Sequence, residues 1–519
     1  MEVNGKIQNY PCLRLVIFFA IGIWLGDWTK DVVPICGWGY ATILFCVCNL
    51  LSFKIKHTLH DVLPIVHTLI LFLALVMLGA WDYQLEWRAA HINFSHQPRN
   101  YEGVVVSALT PHGKVFMGDV LLTDSIYAGQ KIRVSMLTDS QEKSLPMVGD
   151  GITFTTNMVA SHRVMLSEKF DYATWLMYHG YTGTAFISKY HWRWKPIQAQ
   201  YLSRWDRAKI VVMIWRKQLI EKTIQIGGLG QEQGLIMAMT LGEQSQLNQS
   251  TKDDFAFSGA SHVLALSGLH LGIIYALLVV LLGRKEHWWK TSITLLSIWL
   301  YAMLVGMSPS IVRACLMLSI YTLISLLQRK RFSLNTWAVS LFAILLVHPA
   351  GLMDVGLQMS FMAVLSILIY YRPLMHCWTC KYRILRGLWA MICISISTQI
   401  GVMPLVAFYF HRISCYFLLT NIVVIPLVTA VLYVMCCSWA LLWYPLLAGW
   451  GFKIASFLVR IMNTYIQCVA HLPGSTVEHI QLNIGQLLAI YLFLTCISLT
   501  IPKLRALKEL NNMRVFHKK

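Results

Sequence analysis

Charged residues are scarce in this chain, and acidic residues are the scarcest of them. Of 519 residues only 13% are Asp, Glu, Lys or Arg, and 24 acids stand against 43 Lys or Arg. Hydrophobic residues make up 56% of the chain. A composition so apolar and so poor in charge predicts an integral membrane protein. The basic excess alone does not indicate a polyanionic ligand, because the cytoplasmic loops of membrane proteins collect Lys and Arg.

Several kinds of site are missing from the sequence. It contains no Gly-x-x-x-x-Gly-Lys-Ser/Thr run, which excludes a P-loop ATP site. The 13 cysteines form no paired framework, and most lie in apolar runs where a thiol acts as a small hydrophobe. Cys377 and Cys380 have ligand-like spacing, but no second pair accompanies them. We predict no cofactor, no metal centre and no catalytic residue.

Long apolar runs divide the chain and determine its predicted topology. They lie at 13–26, 38–53 and 63–81, and then at 263–282, 291–307, 311–327, 336–347, 353–371, 388–410, 415–443, 452–472 and 485–501. We predict a polytopic α-helical protein of about ten to twelve membrane helices, in segments 1–94 and 259–502. Basic loops alternate with uncharged turns, and the positive-inside rule then places the N-terminus and the basic tail 503–519 in the cytoplasm.

The segment 95–190 differs from the rest in its pattern. Stretches at 101–107, 114–122, 130–136 and 151–159 have the length and β-branched content of strands and are separated by Pro, Gly and Asp. We predict a small all-β domain of four or five strands outside the cytoplasm. Its acids nearly match its bases and few aromatics fall on the strands, so a packing or gating role is at least as well supported as DNA binding.

The segment 191–258 is predicted to be a basic amphipathic helix and a connector. Basic residues alternate with aromatics at its start, among them Arg193, Lys195, Arg204, Trp205 and Arg207. Such a surface can follow a phosphate backbone and stack bases. It is also typical of a helix lying in the membrane interface, where Trp prefers to sit and basic side chains meet lipid phosphates. The second interpretation is favoured, and the two are compatible.

Polar and small residues are concentrated in 259–272, at the start of an apolar run. On a continuous helix one stripe of small residues, suited to close helix packing, comprises Ser261, Ala265, Gly268 and Gly272. The adjacent sector carries His262, Ser267 and His270. Polar groups within a membrane are costly unless they face a partner or a water-filled cavity. The alternative is a buried helix whose histidines are satisfied by neighbouring carbonyls.

Further polar residues at membrane depth complete a predicted channel lining: Ser308, Ser310, Arg313, Asp354, Gln358, Ser360, Thr398, Gln399 and Asn421. Arg313 either faces a passing phosphate backbone or forms a structural pair with Asp354, and the pair is slightly favoured. The serines before it either leave free helix amides for an anion or cap the helix.

These stretches resemble the ComEC family of competence proteins, the polytopic channel proteins of bacterial DNA uptake. The resemblance rests on 259–272 and on the motifs Leu241-Gly242-Glu243, Gly306-x-Ser308-Pro309-Ser310-x-Val312-Arg313-Ala314, Asp354-x-Gly356-x-Gln358-x-Ser360-Phe361, and the series Gln399, Pro404, Asn421, Pro426. Upstream, Phe170-Asp171-Tyr172-Ala173 and Gly180-x-x-Gly183-Thr184 also resemble the family.

The resemblance implies an OB-like β-domain and a channel that translocates single-stranded DNA through the bacterial cytoplasmic membrane during transformation. Its implied partners are single-stranded DNA, the lipid bilayer, a DNA receptor, a separate nuclease, and a cytoplasmic motor or single-strand-binding protein. The metallo-β-lactamase-like domain of many members needs a His-x-His-x-Asp-His cluster, which is absent here. A short form without that domain is expected.

Two other functions compete with the channel. An intramembrane hydrolase would use Ser261 or Ser267 activated by His262 or His270, although no orienting acid is recognisable. A membrane scaffold would recruit partners through the β-domain.

Overall fold

A computed structural model describes residues 10–500, except 55–62, 96, 108, 114, 138–145, 147, 162–171, 189–190, 197–202, 229, 245, 284–286, 327–333, 380 and 499. The motif start at Phe170 and Asp171, Cys380 of the cysteine pair, and the tail 503–519 lie outside the described residues.

The described residues begin with three helices: α1 (Pro11–Trp28), α2 (Ile35–Lys54) and α3 (Leu63–Ala90). The helices α1 and α3 approach closely through glycines. A Cβ added at Gly22 would lie 2.1 Å from the carbonyl oxygen of Val76, and one at Gly79 would lie 2.4 Å from that of Phe19. Small residues let helix backbones touch where lipid offers no hydrophobic driving force, so this contact needs glycine on both helices.

The β region contains eight strands among its described residues: β1 (Arg99–Val105), β2 (Thr110–His112), β3 (Val115–Leu122), β4 (Lys131–Leu137), β5 (Gly151–Thr156), β6 (Val159–Ala160), β7 (Gly183–Ile187) and β8 (Trp192–Trp194). Each predicted stretch contains a strand. All pairings are antiparallel except that of β4 with β7. The strand β5 pairs with β1, and β6, which follows β5 along the chain, pairs with β7. The segment formed by β5 and β6 therefore connects the β1 side of the sheet to the β7 side and closes the sheet. A short helix, α4 (Tyr172–Tyr178), precedes β7.

Between the β region and the second half, the described part of the chain forms four helices: α5 (Arg204–Gly227), α6 (Gln231–Leu241), α7 (Gln249–Phe257) and α8 (Ser261–Leu264). Ile210 of α5 packs on Val104 and Leu121 of the sheet. The predicted connector is an interior element, because every residue of α6 from Gln233 to Leu241 is buried.

The second half consists of α9 (Gly268–Leu282), α10 (Trp288–Leu304), α11 (Pro309–Leu326), α12 (Leu334–Val347), α13 (Val355–Met375), α14 (Arg383–Phe410), α15 (Phe417–Ala440), α16 (Pro445–Ala470) and α17 (Ile484–Ser498). A 3-10 turn, Pro349–Met353, precedes α13, and β9 (Ile413–Ser414) pairs with β10 (Thr476–Val477).

Seven described helices are long and apolar enough to cross a membrane: α1, α3, α11, α13, α14, α15 and α16. Shorter apolar helices lie within α2, α9, α12 and α17. The protein is therefore a multi-pass membrane protein with a small β region, and the total of ten to twelve spans remains a prediction. Its largest buried cluster joins α6, α7 and α9 to α15 and α16.

Candidate functional site

The stretch 259–272 is not one continuous helix, although the predicted stripe of small residues assumed that it was. The helix α8 ends at Leu264, and α9 begins only at Gly268. Ser267 caps α9 in an extended conformation, with φ −129° and ψ 173°. Its backbone N–H donates to His270 Nδ1 at 3.3 Å, and its Oγ lies 3.1 Å from the same nitrogen. Ser267 and His270 therefore form a capping box that starts the helix.

The break also corrects the predicted close-packing stripe. A Cβ added at Gly268 would lie 3.4 Å from Ala314 Cβ of α11, whereas one added at Gly272 would meet no described atom within 4 Å. Ser261 is exposed on α8. The prediction is thus wrong for Ser261 and Gly272, because residues 265–267 turn the chain and place these positions on different helices.

The two histidines occupy different surroundings. His270 is fully buried, and its Nε2 has no hydrogen-bond partner among the described residues. Because Nδ1 accepts the Ser267 N–H, the proton of the neutral ring is on Nε2. His262 is exposed.

A cavity of about 360 Å³ lies where the motifs of the second half meet. Its wall comprises His179, Gly242, Gln244, Ala265, Leu266, Val305, Ser308, Pro309, Ser310, Arg313, Asp354 and Gly356. The fold thus brings together the end of α6, the break before α9, the start of α11 and the start of α13. Neither His262 nor His270 is among these lining residues.

Arg313 is the centre of the polar wall. Its Nη1 donates to Asp354 Oδ2 at 3.1 Å, and its Nη2 donates to Ser360 Oγ at 3.4 Å. Asp354 also caps α13, because its carboxylate accepts the N–H groups of Gly356 at 3.3 Å and Leu357 at 3.0 Å. The structural pair weighed from sequence is therefore present. Arg313 Nε is buried without a hydrogen-bond partner in the described part of the chain.

The start of α11 opens toward the same cavity. Gly306 and Met307 both have positive φ, at 88° and 54°, which turns the chain sharply before the helix. Ser308 O accepts the N–H of Val312 at 3.0 Å, but no described group bonds to its buried Oγ. The Ser308 side chain therefore does not cap the helix. Ser310 lies in the first turn, where backbone N–H groups have no partner within the helix.

His179, which follows α4, was not predicted and completes the polar wall. Its Nε2 lies 3.9 Å from Asp354 Oδ1, while its Nδ1 donates to the carbonyl oxygen of Trp175 at 2.8 Å. The ring stacks on Trp175 with centroids 4.3 Å apart. Tyr172, Trp175 and His179 recur at i, i+3 and i+7, a helical spacing that could have singled them out.

His348 attaches α4 to the membrane helices. Its Nδ1 contacts the Glu86 carboxylate of α3, and its Nε2 donates to the carbonyl oxygen of Tyr178 at 3.1 Å. Both ring nitrogens face acceptors, which suits the imidazolium form. Burial lowers the pKa of His348, but the hydrogen bond and charge of Glu86 outweigh it and raise the pKa above 6.5. The carboxylate also accepts the N–H of Ala350 at 2.8 Å.

Six other residues predicted to line a channel do not border the cavity: Ser267, Gln358, Ser360, Thr398, Gln399 and Asn421. Gln358 Nε2 donates to the carbonyl oxygen of Leu352 at 3.1 Å, and its Oε1 accepts the hydroxyl of Tyr409 at 2.9 Å. Asn421 Nδ2 donates to Ser395 Oγ at 3.4 Å. Gln399 is half-buried on α14.

Comparison with known proteins supports the sequence resemblance. A sequence model of the family described as Competence protein matches residues 239–504, which is more than half of the chain. The chain belongs to this competence protein family. The match contains every cavity residue except His179 and leaves out the β region.

Three relatives match part of the chain. ComE operon protein 3 of Bacillus subtilis (strain 168) is 28% identical over 243 residues, covering 46% of this chain and 30% of the relative. Competence protein ComA of Neisseria gonorrhoeae is 28% identical over 207 residues, covering 36% and 28%. Uncharacterized protein YcaI of Escherichia coli (strain K12) is 28% identical over 206 residues, covering 38% and 27%. Each alignment thus spans less than a third of the relative. No solved structure matches significantly.

The predicted basic and aromatic surface is divided by the fold. Lys195 is paired with Glu102 of β1. Arg193 is exposed on β8, while Arg204, Trp205 and Arg207 are exposed in the first turns of α5. Glu243, beside the cavity, accepts a hydrogen bond from Arg216 Nη2 at 3.2 Å. Its carboxylate is therefore ion-paired with the Arg216 guanidinium.

Proposed function

We propose that this protein is a channel in the bacterial cytoplasmic membrane that passes single-stranded DNA inward during natural transformation. Membership of the competence protein family and the multi-pass membrane architecture support this role. In the proposed orientation both termini are cytoplasmic, and the β region lies outside with the cavity beneath it. The proposed partners are a DNA receptor, a separate nuclease, and a cytoplasmic motor or single-strand-binding protein.

The polar cavity is the observation that carries the proposal. It combines a buried arginine, two serines at the start of a helix and one carboxylate whose charge that arginine already neutralises. A polyanion is accommodated where hydrogen-bond donors exceed fixed negative charges. The first turn of α11 adds backbone amides and the positive end of a helix dipole. Ser308, Ser310 and Arg313 are thus the proposed phosphate contacts, and Asp354 and Ser360 hold the arginine in place.

The strand pairing supports an OB-like interpretation of the β region. A five-stranded closed sheet is obtained if β5 and β6 are counted as one strand, with β1, β3, β4 and β7 as the others. OB domains bind single strands on an exposed sheet face. Here Arg133 of β4 lies over the Trp175 ring of α4, and Ile210 of α5 packs on the sheet. These contacts support a gating or positioning role at the cavity.

The hydrolase is the weaker alternative. Ser267 Oγ does lie 3.1 Å from His270 Nδ1, but the backbone N–H of Ser267 shares that nitrogen. A capping box explains the contact without chemistry. Among the described residues no acid bonds to His270, whose Nε2 lacks a partner.

The test is transformation of a clean deletion strain complemented with wild type, Arg313→Ala or Ser267→Ala, with membrane levels measured for each. We expect the deletion to abolish DNA entry into the cytoplasm, Arg313→Ala to lower DNA entry by more than it lowers membrane abundance, and Ser267→Ala to retain transport. Unchanged transformation in the deletion strain would contradict the channel. Recovery by Arg313→Ala would favour a scaffold, which tolerates changes that do not unfold it.

A further inference from the structure

The helix α16 has three distinct faces. At 100° per residue its buried residues, such as Phe452, Val459 and Ile466, fall on one sector, and they pack in the largest core cluster. Exposed apolar residues fall on a second sector: Ile454, Phe457 and Ile461. A third sector is polar and carries Lys453, Ser456, Arg460, Asn463, Thr464 and Gln467. The polar sector lies between the core sector and the exposed apolar sector.

This polar face lies at membrane depth. The 26 residues of α16 extend about 39 Å at about 1.5 Å per residue, and a bilayer's hydrocarbon layer is about 30 Å thick. Ser456 and Arg460 occupy the middle of the helix. A charged side chain facing lipid there costs at least about 2.5 kcal/mol, so this face requires water or a polar partner.

The first turn of α6 meets α16 at that same depth. Glu232 Oε1 accepts a hydrogen bond from Arg460 Nε at 3.0 Å, and Gln233 Nε2 donates to Ser456 Oγ at 3.1 Å. Immediately before this turn the chain is not helical, and Gly228 and Gly230 are exposed. Exposed non-helical backbone at membrane depth is tolerated only where it borders water or protein.

Two buried oxygens also point to water. Gln233 Oε1 and Asn463 Oδ1 have no hydrogen-bond donor among the described residues. Buried polar atoms in native proteins are nearly always bonded to protein or to ordered water. Their positions on α6 and on the polar sector of α16 place that water beside the Arg460–Glu232 pair.

The charge of this surface is predominantly basic. Its two acids are each paired, Glu232 with Arg460 and Glu221 of α5 with Lys217 at 3.9 Å. Lys222 of α5 and Lys453 of α16 are exposed and form no ion pair with a described acid. Lys453 lies one turn beyond Gly449, whose added Cβ would contact Ile226 of α5 at 3.7 Å. The two helices thus bring their lysines to one side of the molecule.

We propose that the polar face of α16, the first turn of α6 and the adjoining end of α5 line a water-filled groove that binds the phosphates of the passing strand. This groove, the α16 groove, is separate from the cavity around Arg313, and its ligand assignment rests on the proposed function. Arg460, Lys453 and Lys222 are its phosphate contacts, and Glu232 reduces their attraction for a polyanion.

The first experiment tests for water without using DNA. Single cysteines are placed at neighbouring positions of equal depth, Arg460→Cys against Ile461→Cys and Ser456→Cys against Phe457→Cys, in the full chain. Membrane vesicles are treated with a membrane-impermeant maleimide, and each site is read by mass spectrometry. We expect labelling at 460 and 456 but not at 461 and 457. Labelling of all four would place α16 outside the bilayer and overturn the groove. If none of the four cysteines were labelled in membranes, but those at 460 and 456 were labelled in detergent, a second copy of the chain would cover this face. That result would also overturn the groove.

The second experiment separates a phosphate site from a structural ion pair. Arg460→Gln and Glu232→Gln break the same bond, so a structural role predicts equal losses of transformation. The α16 groove predicts opposite signs, with DNA entry lowered about fivefold by Arg460→Gln and unchanged or raised by Glu232→Gln. Lys453→Gln should act like Arg460→Gln, and membrane levels control for folding. Equal losses would overturn the phosphate assignment. A deletion strain that transforms normally would instead overturn the proposed function, while the maleimide pattern still decides whether the groove holds water.

Discussion

Two arginine–carboxylate pairs in this protein have almost the same length and opposite surroundings. Arg313 and Asp354 are 3.1 Å apart with side chains 10% and 18% exposed, whereas Arg460 and Glu232 are 3.0 Å apart with side chains 69% and 31% exposed. Asp354 also caps α13, and Arg313 also bonds to Ser360.

Burial and shared bonds therefore distinguish these pairs, since their lengths do not. A buried ion has been removed from water, and loss of its partner leaves an uncompensated charge. An exposed ion exchanges its partner for water at little cost. The Arg313 pair should therefore behave as part of the fold and the Arg460 pair as an adjustable surface.

The largest expected difference is in stability. Asp354→Asn should lower the free energy of unfolding by about 3–5 kcal/mol, because it leaves the Arg313 charge unpaired and weakens the cap of α13. Glu232→Gln should cost less than about 1 kcal/mol. Thermal unfolding of both variants in detergent measures the difference. Equal losses would refute the distinction between the two pairs.

The second difference concerns the geometry of the guanidinium. Arg313→Lys should reduce DNA entry about tenfold, because a lysine cannot reach Asp354 and Ser360 together through a planar fork. Arg460→Lys should retain most activity, since the α16 groove needs charge more than shape. Transformation frequency, normalised to membrane abundance, gives the comparison. Full activity of Arg313→Lys would show that a point charge suffices in the cavity.

Two glycines test how tightly the Arg313 pair is enclosed. A Cβ added at Gly356 would lie 3.0 Å from Arg313 Nη2 and 3.2 Å from Asp354 Oδ2. Gly356→Ala should therefore cost about 1–2 kcal/mol of stability. Gly272→Ala should stabilise α9 by up to about 1 kcal/mol, because the site is open and alanine favours helix. Melting temperatures of the two variants should move in opposite directions, and a shift in the same direction would contradict the packing.

The smallest effect is a pH dependence at the His348 contact. The raised pKa of His348 means that its contribution is complete below about pH 6.5 and is lost as the pH rises through the folded-state value. His348→Ala should cost about 1 kcal/mol or less at pH 6, because the pair with Glu86 is partly solvated. The gap from wild type should narrow toward pH 9 in unfolding experiments. If the stability difference between wild type and His348→Ala instead widened with pH, the assignment of His348 as an imidazolium would be wrong.

Local patterns were sufficient to predict the strands and most of the apolar helices. Alternation along β4, for example, buries Ile132, Val134 and Met136 as its sequence predicts. The break at 265–267 was missed because Ser267 and Gly268 were read as parts of a continuous helix, although a Ser-Gly pair often marks a turn. The Arg313–Asp354 pair was predictable because few charges lie at membrane depth.

Long-range contacts could not be predicted in this way. His179 reaches Asp354 across 175 positions in the chain, and nothing near either residue specifies the other. The polar face of α16 was missed for a different reason. Its bonding partners Glu232 and Gln233 come from α6, which was predicted only as part of a connector.

The burial of α6 constrains the order in which this protein can fold during its synthesis. Its 11 residues are too few to cross a bilayer, and the core that covers them includes α16, which ends at Ala470. At ribosomal speeds of about 5–20 residues per second, this helix waits at least about ten seconds for its neighbours. Until then its apolar surface needs temporary shelter, from lipid or from the insertion machinery. Chains truncated before α15 should consequently be recognised as unfinished and degraded.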